Sequence, residues 1–369
     1  MILKSDCRHF PGDRPCRFNK ESGQTCPDCG HYAPPGQRVL VIKLAALGDV
    51  LRTTAILPGI KAQWPDSYIV WLTLANTVEL LQGNPLIDEL WTVEEDTPTR
   101  LAAEEFDLVL NPDADKRAAG LASQARAAER RGMLLDRRGF IVPANPEAVA
   151  WLEMGAFDQV KKQNQKTYQQ LIYAMLKLDY ERQEIGLALK KSELAWARGF
   201  LTEQGWRERD KIVGLNLGGG GRWKKKRWKA WHFETFGRRI TAESGCKVLL
   251  IGGEQERGLI DDLQKALPAG VLSTGPNRSL RETGALIAHC RVLVTGDTLA
   301  LHIASALKVP TVVPLGPTSA SELEMYGRGE KTVAPIGCVS CYLPDCDIDP
   351  DCMELITPAT VLEATRKWL

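Results

Sequence analysis

The chain has 369 residues, 44% hydrophobic and 25% charged, and its 47 basic residues balance 46 acidic ones to a formal net charge of +1. That length exceeds one ordinary core and predicts two or three domains. The charge balance excludes a global field that would steer the chain to nucleic acid or an anionic membrane. Its longest largely apolar runs, such as residues 248–251 and 309–315, fall far short of the roughly 20 residues of a membrane-spanning helix.

Residues 1–36 form a loop-rich, cysteine-bearing extension without a periodic helix pattern. The opening MILKSDCRHF lacks the continuous apolar core of a secretory signal, so a cytoplasmic protein is expected, with peripheral contact to an inner membrane left open. Residues 37–185 are then read as a first α/β unit. An apolar strand over 39–43 runs into a small-residue turn, Ala45-Ala46-Leu47-Gly48, followed by Asp49 and an amphipathic helix over 50–64 in which Pro58 should end the amphipathic stretch. Strands follow at 68–73 and 106–111, the second ending near Asp113. Residues 118–131 are helical in composition, and 147–179 form a polar helical stretch.

Residues 186–369 are read as a second unit. Strand 211–217 enters a glycine run, helix 232–243 follows, and strand 247–251 ends in Gly252-Gly253. Helices at 259–267 and ending at 285–289 lead to strand 292–297, helix 299–307 and strand 311–318. This alternation predicts an α/β protein with two doubly wound parallel sheets, two Rossmann-like domains facing across a cleft.

Open parallel sheets bind ligands beyond the carboxyl ends of their strands, which selects particular loops. Asp49 follows the first strand, where a carboxylate either faces a reacting group or caps the helix behind it. In the second unit Gly218-Gly219-Gly220-Gly221 precedes the basic run Arg222-Trp223-Lys224-Lys225-Lys226-Arg227-Trp228. Glycines there let backbone amides approach a diphosphate that the basic residues would neutralise. The interleaved tryptophans leave a nucleic-acid patch as the other reading. Gly296, Asp297, Thr298 and Leu299 open a helix whose free amides favour an anion, and His302 sits one turn further on. Gly316-Pro317-Thr318 is a third strand-end loop, and Glu254, beyond Gly252-Gly253, is placed to accept from a ribose hydroxyl.

Together IKLAALGDVLRTTAILP, KRWKAWHF and GDTLALHIASALKVPTVVPLGPT resemble the heptosyltransferases of glycosyltransferase family 9, from about residue 38 onward. The resemblance implies the GT-B fold, with the acceptor in the first domain and the nucleotide sugar in the second. It also implies transfer of a heptose from an ADP-sugar to a lipopolysaccharide-type glycan, with inversion and without a catalytic metal. Carried over by position, Asp49 is the general base, Lys226 contacts the donor diphosphate, and Asp297 and Thr298 belong to the donor loop. Leu299 stands where the family usually has glycine, which puts the identity of the sugar in question more than the reaction.

Eight of the ten cysteines fall into two quartets: Cys7, Cys16, Cys26 and Cys29, and Cys338, Cys341, Cys346 and Cys352. In a reducing compartment such groups point to structural zinc or iron at one or both sites, disulfides being the other reading. Cys246 and Cys290 read as inert buried thiols. Some protein-modifying relatives carry a four-cysteine iron finger, so a protein acceptor is the sister reading to a glycolipid. A metal-clustered nucleic-acid-binding module is the alternative from another class, which the neutral charge balance disfavours. A nucleotide-sugar epimerase on the same scaffold, acting on the donor alone, is a further alternative.

Overall fold

The computed structural model describes residues 3–219, 224–343 and 345–369. Gly220, predicted to bind donor, and Gly221, Arg222 and Trp223 of the basic loop lie outside the described residues. Among the described residues the chain forms two six-stranded sheets. The first contains β1 (Arg38–Ile42), β2 (Tyr68–Thr73), β3 (Glu89–Thr92), β4 (Glu105–Asn111), β5 (Arg126–Leu135) and β6 (Ile141–Pro143), in spatial order β3-β2-β1-β4-β5-β6. All its pairs are parallel except β5 with β6. The second contains β7 (Ile212–Asn216), β8 (Lys247–Ile251), β9 (Leu272–Ser273), β10 (Val292–Val294), β11 (Thr311–Leu315) and β12 (Gly329–Val333), in order β12-β11-β10-β7-β8-β9, all parallel.

Each sheet begins at a central strand and grows outward on both sides. The order reverses between β1 and β4 in one sheet and between β7 and β10 in the other, so the binding crevices open at those carboxyl ends. The central strands are covered on both faces, which is why they read as unbroken apolar runs. Val39 and Val41 of β1 pack with Trp71, Ile172 and Tyr173 on one face, while Leu40 and Ile42 pack with Leu72 and Val109 on the other. A third core crosses between the sheets, where Leu51, Ala55 and Leu80 meet Ile303 and Ala304. Buried Arg281 latches the same junction, donating to the carbonyls of Glu79 (3.0 Å) and Ala188 (2.6 Å) and pairing with Glu193 (2.5 Å).

The structure corrects several predicted elements. The helix expected over 50–64 is two helices, Leu47–Thr53 and Ile56–Gln63. Thr53 and Thr54 turn their hydroxyls onto the carbonyls of Asp49 (2.6 Å) and Leu51 (2.7 Å), competing with the backbone ladder where the first helix ends. Pro58 ends nothing: it lies in the first turn of the second helix, where amides have no intrahelical acceptor anyway. The helical composition of 118–131 yields a helix only over Lys116–Gln124. Beyond it the chain pairs with β4 as β5, so sheet pairing overrides local propensity. Residues 147–179 divide into the helices Val149–Ala156, Asp158–Gln163 and Tyr168–Met175 after a short 3-10 turn.

Gly59 is fixed by packing. A Cβ there would lie 2.6 Å from Cε1 of the fully buried Tyr173, whose hydroxyl donates to the Ala55 carbonyl at 2.6 Å. Neither the ring nor the helix can give way without losing that bond. Gly59→Ala should therefore destabilise the protein by about 1–3 kcal/mol despite the better helix propensity of alanine. Urea unfolding checks this, and unchanged or higher stability would reject the packing argument.

Candidate active site

The first strand delivers Asp49 to the cleft between the sheets. The helix Leu47–Thr53 is N-capped by Ala46 without a side-chain bond, so Asp49 does not serve as its cap. Its carboxylate pairs instead with Arg52 at 2.8 Å and keeps 39% of its side-chain surface open, enough to meet an incoming hydroxyl. Arg52 lies over the ring of Tyr168 at 3.6 Å, and the Tyr168 hydroxyl is 2.6 Å from that of Thr53. The guanidinium is thus held in place by the ring and aimed at the carboxylate. Burial works against the charge on Asp49, but Arg52, Lys43 and His302 outweigh it and hold the group below the usual carboxylate range.

Beneath this turn, buried Lys43 pairs with Asp113 from the end of β4 and donates to the Ala45 carbonyl at 2.6 Å. Asp113 also accepts from the Leu44 amide at 2.9 Å, so the ion pair pins the small-residue turn across the switch point. The strand-end position of Asp113 was legible in the sequence; its partner Lys43 was not singled out. A lysine closing an apolar strand was the available signal, since a buried lysine needs an anion.

Facing Asp49, the helix Leu299–Ala306 begins at N-cap Thr298, whose side chain makes no capping bond. Asn216, at the end of β7, donates to the hydroxyls of Thr295 (3.0 Å) and Thr298 (3.1 Å), tying together the loops on either side of the second switch point. Asp297 accepts from Lys226 at 3.2 Å. Burial opposes the charge on Asp297, and Lys226, His302 and Arg52 overcome it to lower its pKa. Gly296 lies under the Lys226 carbonyl, where a Cβ would come within 3.1 Å.

His302 is buried between the domains. A Cβ on Gly48 would lie 2.9 Å from its ring and 3.8 Å from the Leu299 Cα, so the glycine lets the two helices approach. Burial, then the Arg52 guanidinium, push the imidazole down to about 4, leaving it neutral near pH 7. The structure therefore brings Asp49, Lys226, Gly296, Asp297, Thr298, Leu299 and His302 to one cleft.

Beside it a cavity of about 370 Å³ is lined by Gly218 and Gly219, by Glu256, and by the apolar side chains of Ile251, Leu280 and Ile303. Glu254, expected here, is turned to solvent and pairs with Arg257 at 2.7 Å. The 3-10 turn Glu254–Glu256 carries the chain around so that Glu256, two residues on, points inward to Arg227 at 2.6 Å. The sequence offered two glutamates in three positions, and only the turn geometry chooses between them.

Other described residues of this segment are also paired. Lys225 and Lys229 bind buried Asp351 at 3.2 and 2.7 Å, and buried Trp228 donates to the Ile356 carbonyl at 2.7 Å. The nucleic-acid reading needs these groups displayed to solvent, whereas they clamp the loop onto the C-terminal segment.

That segment carries the second cysteine quartet. The Ser340 and Tyr342 amides donate to the carbonyls of Gly316 and Pro317, each at 2.9 Å, and the Cys352 thiol presses on Gly316. Cys338, Cys341 and Cys346 are close enough to act on Cys352, whose thiol burial chiefly pushes up to about 11. The first quartet lies in the extension, where Cys7, Cys16, Cys26 and Cys29 line a single cavity. Among the described residues, no three of His, Cys, Asp or Glu converge closely enough to hold one metal ion. No helix among them is long and apolar enough to cross a membrane.

The family model for glycosyltransferase family 9 (heptosyltransferase) matches residues 98–343. Lipooligosaccharide heptosyltransferase 2 of Haemophilus influenzae is 30% identical over 98 residues, 26% of this chain and 28% of that one. Its counterpart from Campylobacter jejuni (strain 81116) is 26% identical over 164 residues, 42% of this chain and 51% of the other, so the chain spans at most about half of these relatives. Among solved structures, a family 9 glycosyl transferase from Veillonella parvula superposes with a TM-score of 0.75 at 18% identity, covering 91% of this chain and 98% of that one. The E. coli ADP-heptose lps heptosyltransferase II gives 0.65 at 19% identity, covering 90% and 98%. The iron-containing dodecameric glycosyltransferase TibC of enterotoxigenic E. coli gives 0.56 at 14%, covering 90% and 76%. These structural likenesses establish the GT-B fold. With the family model matched over two thirds of its length, the chain belongs to glycosyltransferase family 9, the heptosyltransferase family.

Proposed function

We propose that the chain is an inverting glycosyltransferase that moves a heptose from ADP-heptose to a hydroxyl of a lipopolysaccharide-type glycan, with Asp49 as general base. The observation that carries this reading is the pairing of an ionised, partly open carboxylate on one domain with Lys226 and an uncapped helix N-terminus on the other. In this division residues 37–185 present the acceptor and 186–369 hold the donor. The cavity beside Gly218 and Gly219 suits the nucleoside, its apolar wall taking the base and Glu256 standing in for Glu254 at the ribose.

The acceptor oxygen gives its proton to Asp49 and attacks the anomeric carbon on the face opposite the diphosphate. The bond from that carbon to the diphosphate oxygen breaks, and its electron pair leaves with ADP. Lys226 and the amides opening the helix Leu299–Ala306 receive the developing charge, so the step is written without a catalytic metal. A lipid-linked acceptor would bring the protein to the cytoplasmic face of the inner membrane.

For the Cys338, Cys341, Cys346 and Cys352 quartet we propose a structural metal, zinc or iron, that stiffens the loop at Gly316. TibC is iron-containing. This segment also touches the acceptor side, since Lys161 lies 3.7 Å from the Tyr342 ring centroid. The cysteine quartet itself is what supports a second reading, in which the acceptor hydroxyl belongs to a protein. Transfer of labelled heptose to purified lipopolysaccharide core or to polypeptide distinguishes the two.

Asp49→Asn should lower transfer by about 10²–10⁴-fold while ADP-heptose still binds. Full turnover in that variant would remove Asp49 from the mechanism. Because its pKa is lowered, Asp49 stays unprotonated through neutral and mildly acidic pH, and activity falls only as pH drops through that lowered value. Arg52→Gln removes the nearest positive charge, so the acidic limb of the pH–kcat/KM profile should move to higher pH. An unmoved limb would show that another group titrates. Lys226→Ala should weaken ADP binding by roughly 10- to 100-fold in calorimetry, as expected for losing a charged contact to the diphosphate.

A further inference from the structure

The helix Tyr168–Met175 opens where the two domains meet. Thr167 and Gln170 exchange side-chain and backbone bonds there, satisfying amides that a helix start leaves without an intrahelical acceptor. The Tyr168 amide, another of these, donates to the Glu322 carbonyl of the second domain at 3.0 Å. Beside it Gln169 donates from Nε2 to the Tyr326 hydroxyl at 3.3 Å. Glu322 is itself fixed. Its carboxylate accepts from the Tyr342 hydroxyl at 2.8 Å, and that hydroxyl accepts from the Ser319 amide at 3.2 Å. The start of this first-domain helix is therefore held by a segment of the second domain.

The buried Tyr168 side chain grips the helix Leu47–Thr53 at its ring and at its hydroxyl. The ring lies against Arg52 at 3.6 Å, and the hydroxyl stands 2.6 Å from that of Thr53, which donates to the Asp49 carbonyl at 2.6 Å. Trp151 packs edge-on to the same ring with centroids 5.6 Å apart, which limits its freedom to turn. A guanidinium on a flexible stem gives up side-chain entropy to stay on one carboxylate. A fixed aromatic face reduces that cost by restricting where the guanidinium can lie. Asp49 faces Arg52 and Lys43 of its own domain, and His302 and Asp297 of the other. Arg52 in turn faces Asp49, Tyr168, Asp297 and Glu322. Tyr168 adds no charge to this set, because burial pushes the pKa of its hydroxyl up. What it supplies is the place of the guanidinium.

We propose that Tyr168 is a positioning residue for glycosyl transfer: seated by Glu322 of the second domain, its ring holds Arg52 on Asp49. This rests on the reading of Asp49 as general base. Tyr168 acts through Arg52 rather than on a substrate. With the ring in place, the guanidinium favours the ionised carboxylate and restricts its orientation in the cleft. The seat comes from the domain that carries Lys226 and Asp297, so a well-placed base goes with a docked donor domain.

The test is the pH dependence of kcat/KM for the full chain, with ADP affinity measured alongside. Tyr168→Leu leaves every charge in place, so a less well held Arg52 should move the acidic limb to higher pH by roughly 0.5–1. Its kcat should fall about tenfold or more while ADP affinity is unchanged. Tyr168→Phe keeps the ring and should keep the limb in position. Tyr342→Phe releases the Glu322 carboxylate without altering a charge, and should move the limb the same way by a smaller step. On an Arg52→Gln background neither Tyr168→Leu nor Tyr342→Phe should move it further, as expected of residues that act through one group. A limb unmoved by Tyr168→Leu, moved equally by Tyr168→Phe, or moved additively with Arg52→Gln would overturn the proposal. A limb unmoved by Tyr342→Phe would overturn the seating by the second domain. If Arg52→Gln itself leaves the limb in place, the reading of Asp49 as base fails and the role of Tyr168 falls with it. Should Tyr168→Leu fail to fold, Tyr342→Phe, alone and combined with Arg52→Gln, still decides.

Discussion

The close approach of the helix Leu47–Thr53 to the helix Leu299–Ala306 governs the site. Gly48 makes it possible, because any side chain there would strike the His302 ring. The approach places Asp49 and Arg52 from one sheet against Asp297, His302 and Lys226 of the other. Two carboxylates share this confined space, where like charges would normally drive one of them neutral. Arg52 and Lys226 each neutralise one, and the imidazole between them stays uncharged. Alternating charge, rather than solvent, keeps both acids ionised. A carboxylate and a lysine thus stand on opposite walls of one cleft, as the proposed base and diphosphate contact require.

The scaffold around this cleft consists of paired charges that hold loops rather than ligands. Lys43 and Asp113 fix the turn ahead of Asp49, while Asn216 joins the two loops at the second switch point. The basic run distributes its side chains among Asp351, Asp297 and Glu256. Among the described pairs of the run, the one with Asp297 directs Lys226 to the helix N-terminus. Lys225 and Lys229 anchor the run to the C-terminal segment, next to Cys352. The second cysteine quartet therefore stands beside the loops that carry Lys226 and Gly316. The first quartet lies at the far end of the other sheet. It lies within the extension, so the two quartets belong to different parts of the molecule.

Much of this was written in the order of residues. Unbroken apolar strands, each followed by small residues and then a helix, specified parallel sheets, because only strands covered on both faces lose their polar alternation. The same pattern marks the strand-end loops that carry Asp49, Asp297 and Thr298, while Lys226 is singled out by the resemblance to the heptosyltransferases. Local chemistry alone left other matters open. Asp49 could have been a cap, and Glu254 was expected at the pocket where Glu256 stands. An Ala- and Arg-rich stretch looked helical throughout, yet its second half pairs with β4. What only the tertiary structure decided were the partnerships of charge across the fold: Lys43 with Asp113, Arg52 against Tyr168, and Glu256 in place of Glu254. These join residues far apart in the chain or choose between near neighbours by the direction of one turn. Sequence periodicity reports which face of an element is buried, whereas the partner of a buried charge depends on how separate elements meet in space.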